Sequence, residues 1–309
     1  MGRVLDWLMD SDPSIRWQVM HDLTDAPASA VTHERSRVAE QGWGARLLGL
    51  QADDGQWGGG VYSPKWTSTT YTLLLLRHLG VDPADPRMRT ATERVRDRVV
   101  IGGQSRPFFH YATELCITSM ALALGSYFLE DIDALPQPKV LLDRQHDDGG
   151  WNCHVRSDRS SFHTTISALE GLLEHERALG GDSTLAEARA RAHEYLLERR
   201  LMYSLRTGDL INSRWLLMAF PPRWFYDVLR GLDYLRHAGL DADPRAEEAV
   251  AVIEAKRRND GHWPLQNRHP GKEHFRMEEG SGKPSRWNTL RALRVLRWYR
   301  GQGAEFTPE

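Results

Sequence analysis

Apolar residues recur every three to four positions along most of the chain, with polar residues on the opposite face, and that period predicts helices. The pattern places them over residues 4–9, 15–23, 67–79, 82–100, 113–128, 136–145, from about 161 onward, and over 183–203, 223–237, 244–258 and 285–300. Residues 28–42 read as a polar helical connector. Asp12-Pro13-Ser14 is a start signal, and Gly80 and Gly239 suit the position just after a helix end. Residues 102–112 and 206–222 read as loops, and no segment alternates as a strand would.

One unit of this pattern repeats. A helix ends, a tight Asp-Gly turn presents a tryptophan, and a second, more apolar helix follows. The copies are QADDGQWGGGVYSPKWTSTTYTLLLL (51–76), QHDDGGWNCHVRSDRSSFHTTISALEGL (145–172) and a stretched one over 257–296, where NDGHW leads after an insertion to SRWNTLRALRVL. Six apolar segments align, IRWQVMHDL, WTSTTYTLLLL, ELCITSMALAL, FHTTISALEGL, FYDVLRGLDYL and RWNTLRALRVL. One position of that alignment holds Gln18, Ser68, Cys116, His163, Asp227 and Asn288. Six helix pairs can bury their apolar faces only against neighbours, and a closed ring leaves no exposed end. The expectation is an all-α (α/α)6 toroid with a central cavity, one domain over residues 1–309. All six inner helices would start at one mouth, with their N-terminal dipoles and the six aligned side chains around it.

Composition narrows the function. A formal charge of −2 gives no basic field for nucleic acid. Two cysteines, Cys116 and Cys153, fit a reducing cytoplasm and no disulfide framework. No apolar run approaches the roughly 20 residues of a membrane span, and no signal-peptide core opens the chain. Eleven tryptophans, several at repeated positions, call for a structural reason.

The elements Gln51-x-x-Asp54-Gly55-x-Trp57 and Gln145-x-x-Asp148-Gly149-Gly150-Trp151 resemble the QW repeat of squalene and terpenoid cyclases. The third copy has Arg257 in place of the glutamine. Residues 160–165, Ser-Ser-Phe-His-Thr-Thr, are similar to the aromatic-His-Thr segment of protein prenyltransferase β subunits, where the histidine is a zinc ligand. The resemblance spans nearly the whole chain and implies the α/α toroid superfamily of those two families. It also implies an isoprenoid or similar apolar small-molecule substrate. The chain departs from both: the DxDD acid motif of class II cyclases, the DDxxD diphosphate motif and the Asp-x-Cys zinc pair are absent from the sequence, and Asp131-Ile-Asp133 and Asp241-Ala-Asp243 miss the first.

The candidate chemistry follows. Asp227, beside an aromatic run, can act as a general acid with its pKa raised by burial, or form a salt bridge with Arg223 or Arg230. His163 can be its partner or base, and Glu278, with Glu279, can overhang the mouth from the inserted loop. Cys116, His163 and Asp227 can instead ligate zinc for a hydrolase, lyase or prenyltransferase-like enzyme, provided the mouth narrows, because neighbouring helices stand about 8–10 Å apart. Cys153 and His154 can add ligands. Trp17, Trp66, Trp224, Tyr226 and Trp287 can wall a lumen that stabilises a carbocation, or simply pack between helix layers. Arg16, Arg223 and Arg286 can hold a diphosphate at helix N-termini, or pair with turn carboxylates. Ser68 and Asn288 complete the substrate-binding set. The leading expectation is acid-initiated cyclisation or isomerisation of an apolar substrate. A toroid that binds a lipid or a protein without chemistry is the alternative outside enzymology.

Overall fold

The computed structural model describes residues 2–101, 106–110, 114–154 and 156–301. Its helices are α1 (Gly2–Met9), α2 (Pro13–Leu23), α3 (Ala28–Ser36), α4 (Gly42–Leu48), α5 (Thr69–Leu79), α6 (Pro86–Arg98) and α7 (Leu115–Phe128). There follow α8 (Gln137–Leu142), α9 (Phe162–Ala178), α10 (Ser183–Glu198), α11 (Val228–His237), α12 (Glu247–Glu254) and α13 (Arg286–Arg300). The all-α class and the helix-pair organisation expected from the periodicity are present. Two residues of β1 (Val100–Ile101) pair antiparallel with two of β2 (Arg106–Pro107), a short ribbon where the sequence predicts the end of a helix at Val100 and a loop over 102–112. No helix among the described residues is long and apolar enough to cross a membrane.

Helix starts follow local capping chemistry. The helix expected from residue 223 begins five residues later, because Asp227 is its N-cap and accepts a hydrogen bond from Arg230 N–H. Arg223 itself takes φ +59°, which no helix accommodates. The helix over 183–203 ends early at Glu198, since Arg200 and Leu201 both have positive φ.

The chain forms two compact units. One comprises Met1–Trp43, Leu196–Pro270 and Phe275–Glu309, and the other Gly44–Tyr195 with Gly271–His274. In the second unit α5, α7 and α9 pack in order, and α7 and α9 are buried on almost every side. Helix α6 buries only one stripe, Met88, Ala91, Thr92 and Val95, as an outer helix does.

The repeated tryptophans explain how the pairs are built. Trp57 donates its indole N–H to Leu47 O at the end of α4 and its backbone N–H to Thr69 Oγ1 at the start of α5. Trp151 does the same with Leu141 O and Thr165 Oγ1, and Trp263 with Ile253 O and Thr289 Oγ1. The six distances lie between 2.7 and 3.1 Å. Each ring is fully buried. Gln51 Nε2 donates to Gly55 O and Ala91 O, and Gln145 Nε2 to Gly149 O and Ala188 O, so each glutamine ties its turn to the next helix. At the third copy the Arg257 guanidinium lies over the Trp263 ring instead, 5.7 Å from its centroid.

In the first unit the two ends of the chain meet. Trp7 of α1 packs on His262 of the third turn, with ring centroids 4.2 Å apart. Arg294 of α13 bonds Gln18 and Asp22 of α2 and pairs with Asp233 of α11, which also meets Arg236 and Arg291. Burial by itself would raise the Asp233 pKa, but Arg294, Arg236 and Arg291 outweigh it and hold the carboxyl well below the usual carboxylate range.

Two predictions follow from these contacts. Trp151→Phe, which keeps an aromatic ring but removes part of the buried indole and leaves Leu141 O without its donor, should lower unfolding free energy by at least about 1–3 kcal/mol in urea titration. Asp233→Asn strips the arginine cluster of its central charge and should cost about 3–5 kcal/mol in the same measurement.

Candidate functional site

The hydrogen bonds of the three tryptophans give the inner helices a common register that residue spacing alone misses. Thr69, Thr165 and Thr289 are equivalent, so the residues just before them, Ser68, Thr164 and Asn288, hold the same place relative to their own tryptophan turns. All three are buried, whereas His163, aligned by sequence with Ser68 and Asn288, is half-exposed and one residue out of step. Asp227 is the N-cap of α11, as Ser68 is of α5, Ser161 of α9 and Ser285 of α13. Cys116 is the second residue after the N-cap Glu114, and Gln18 lies a turn deeper in α2. The six aligned residues therefore do not hold equivalent positions in their helices.

In the first unit, three of the expected residues, Asp227, Asn288 and Trp287, converge on the segment 218–220, which the sequence marks only as loop. Ala219 N–H donates to Asp227 Oδ2, and Ala219 O accepts from Arg291. Met218 O and Pro264 O accept from Asn288 Nδ2. The Phe220 ring stacks on Trp287, 4.1 Å between centroids and 8° from parallel. Glu278 completes the group: its Oε1 accepts from Ser285 Oγ at 2.8 Å and from Trp287 N–H at 3.1 Å, at the N-terminus of α13. Asn288 Oδ1 and Trp287 Nε1 are buried and have no hydrogen-bond partner among the described residues. Buried polar atoms are almost always paired, so Asn288 Oδ1 and Trp287 Nε1 can each take a water molecule or a polar group of a ligand.

The charges of this group are shifted. Desolvation raises Asp227, against Arg291, the N–H groups of Arg230 and Ala219, and the charge of Arg230. Desolvation also pushes Glu278 up to about 7, against Ser285, the N–H groups of Trp287 and Arg286, and the Arg286 charge. Lys256, missed by the sequence reading, is lowered by burial, an effect that the charge of Asp227 opposes, and it donates to Gln266 Oε1. The other residues expected to bind substrate are held differently. Tyr226 gives its hydroxyl to Leu201 O and packs on Trp215. Trp224 stacks on Phe225, Arg223 is buried, and the Arg286 guanidinium lies over Trp7 and donates to Trp7 O and Asp10 O. Arg16 pairs with Glu34, and Trp17 lies half-exposed under Arg35.

In the second unit, Trp66 is buried edge-on against Tyr71, and Ser68 Oγ is buried without a partner among the described residues. A cavity of about 190 Å³ is lined by Val61, Tyr62, Thr70, Ile101, Phe108, Ile117 and Ala121. That volume suits a small apolar group. Its lining is apolar apart from the hydroxyl groups of Tyr62 and Thr70.

Of the expected zinc ligands, Cys116 and His163 belong to the second unit and Asp227 to the first. Among the described residues no three of His, Cys, Asp and Glu come together in a way that could hold a metal ion. Both Asp227 oxygens already accept backbone N–H groups, and Cys116 meets Cys153. His154 is exposed on the same turn.

No protein-family model and no curated protein matches the chain. Among solved structures it is similar to a protein from Actinoplanes, at 17% identity and a TM-score of 0.44, over 97% of this chain and 98% of that one. It is also similar to the type II terpene cyclase MstE from Scytonema, at 15% identity and a TM-score of 0.42, over 92% and 86%.

The raised Glu278 pKa makes a prediction with a definite sign. The folded chain holds a proton that the unfolded chain, with a glutamate near 4.5, has released. That contribution is complete below about pH 4.5 and is lost as pH rises through about 7. Glu278→Gln cannot ionise, so its Tm should exceed that of the wild type at about pH 8–9 and match it at about pH 4.

Proposed function

We propose that the chain is a single-domain α/α toroid enzyme of terpenoid-cyclase type. It acts in the cytoplasm on an isoprenoid or similar apolar molecule by protonating it. The supporting observation is the buried carboxyl of Glu278, pushed up to about 7 by desolvation and bonded to the backbone N–H of Trp287, whose ring stacks on Phe220. In this reading Glu278 moves from accessory to acid, and Asp227, whose oxygens are engaged with backbone N–H groups, becomes the residue that fixes α11 and the 218–220 segment. The Glu278 proton adds to a substrate double bond and leaves a carbocation on carbon. The aromatic faces stabilise that charge by cation–π attraction. Loss of a neighbouring C–H proton to the Glu278 carboxylate then restores the acid and gives a ring or a shifted double bond. Asn288 Oδ1 and Trp287 Nε1 are free to orient a polar end of the substrate.

Binding without turnover is the second reading, and the cavity around Tyr62, Phe108 and Ile117 favours it. One experiment separates the two. Purified protein is incubated with linear isoprenoid alcohols, their diphosphates and squalene, and the extracts are analysed by gas chromatography with mass spectrometry. A catalyst should yield ring or isomer products at a rate that falls as pH rises through about 7. Glu278→Gln should lower that rate by about 100-fold or more. Unchanged substrate retained in native mass spectra, with Glu278→Gln indistinguishable from wild type, would select the binding reading.

A further inference from the structure

The two cysteines lie 37 residues apart in sequence and meet in the second unit. Cys153 is on the turn after Trp151, and its sulfur accepts the backbone N–H of Cys116 at 3.0 Å in the first turn of α7. Thr164 Oγ1 donates to the same sulfur at 3.3 Å, and Cys153 N–H donates back to Thr164 Oγ1 at 3.2 Å. The Cys116 thiol is a third donor to it. An N–Cα bond is about 1.5 Å, so the Cys153 sulfur lies within about 4.5 Å of Cys116 Cα, inside disulfide reach. Both thiols are unoxidised and partly accessible. Thr164 holds the same place relative to its tryptophan turn as Ser68 and Asn288 do to theirs, so the fold that builds the tryptophan turn also builds this contact.

The donors divide the pair into unequal roles. Hydrogen bonding from the Cys116 thiol lowers Cys153 to about 7, with Thr164 and the Cys116 N–H adding to it, against burial and the Glu114 charge. The same contact, with burial, the charge on Cys153 and Glu114, raises Cys116, which stays protonated. A thiol with pKa near ambient pH is the best attacking nucleophile, and the first turn of a helix favours its anion. Tyr62, which lines the neighbouring cavity, is close enough to couple electrostatically to both cysteines, so the dithiol stands close to an apolar recess.

We propose that Cys153 and Cys116 form a thiol–disulfide exchange centre, with Cys153 the attacking and Cys116 the resolving residue, whose substrate is a small disulfide. The Cys153 thiolate attacks one sulfur of the substrate, forming a mixed disulfide and releasing the other half as thiolate. Cys116 then gives up its proton and attacks Cys153, forming the Cys116–Cys153 disulfide and releasing the second half as thiol. Two protein thiols are oxidised and one substrate disulfide is reduced. The centre is independent of the Glu278 reading and stands or falls without it.

The test treats the reduced full-length chain with glutathione disulfide at neutral pH and follows intact mass over time. The wild type should lose two hydrogens and keep no glutathione, and peptide mapping should return the linked Cys116–Cys153 pair. Cys116→Ser should retain one glutathione on Cys153, formed several-fold faster than any adduct of Cys153→Ser. Stable glutathione on the wild type, an adduct on Cys116, or a wild type that stays reduced would overturn the proposal. Far-UV circular dichroism checks the folding of each variant. Should a variant not fold, the mapped product of the wild type decides alone.

Discussion

The constraint on which the fold depends is the double anchoring of a buried tryptophan between two helices. A buried aromatic ring removes about 150–250 Å² from water, worth roughly 4–6 kcal/mol gross at 25 cal/mol per Å². That far exceeds the net gain of either hydrogen bond, at about 1 kcal/mol each. Burial therefore supplies the energy and the hydrogen bonds supply the direction. Indole N–H to the outer helix end and backbone N–H to the inner helix threonine allow one orientation, repeated at Trp57, Trp151 and Trp263. The turn must also bring backbone close to the next helix. A Cβ on Gly55 would lie 2.6 Å from Arg94 O, one on Gly149 would meet Arg191 O, and one on Gly261 would lie 2.8 Å from Val4. Glycine at φ near +85° is the residue that fits.

Between tryptophan and threonine the chain is free to vary, and the candidate chemistry lies there. The interval is 12 residues in the first copy, 14 in the second and 26 in the third. The second carries Cys153 and the third carries Glu278. The anchor fixes both ends of the interval, so a residue inside it can be placed against an inner helix N-terminus without disturbing the pair. Cys153 uses that freedom to reach the start of α7, and Glu278 to reach the start of α13.

How much was legible in the sequence follows from the same division. The helix pairs, the turn glycines and the tryptophans were legible because a 3.6-residue period and an Asp-Gly-x-Trp spacing are local. The register of each side chain was not. Aligning apolar segments put His163 in register with Ser68 and Asn288, while the threonine hydrogen bonds put Thr164 there, because the turn of the second copy is two residues longer. Asp227 looked like an inward acid among aromatics, yet an aspartate at a helix start with free N–H groups three residues on caps first. The hub at Met218–Phe220 carries no signal, since its role is played by two carbonyls, a backbone N–H and one ring. Cys153 looked incidental because its partner is 37 residues away.

The difference between Asp233 and Glu278 shows how chain closure bears on the acid. Both carboxyls are desolvated, and desolvation is the largest influence on each. Asp233 pairs with three arginines, Arg236, Arg291 and Arg294, so it stays ionised. Glu278 has Arg286 in its field, but that guanidinium is turned to the C-terminal end of α1, over Trp7 and onto the carbonyls of Trp7 and Asp10. The Arg286 charge, which would favour ionisation of Glu278, is therefore a smaller influence on it than burial. The contact between α1 and α13 holds that charge away, and desolvation pushes the carboxyl up to about 7. Under the proposed function, this carboxyl is the group that would supply the first proton.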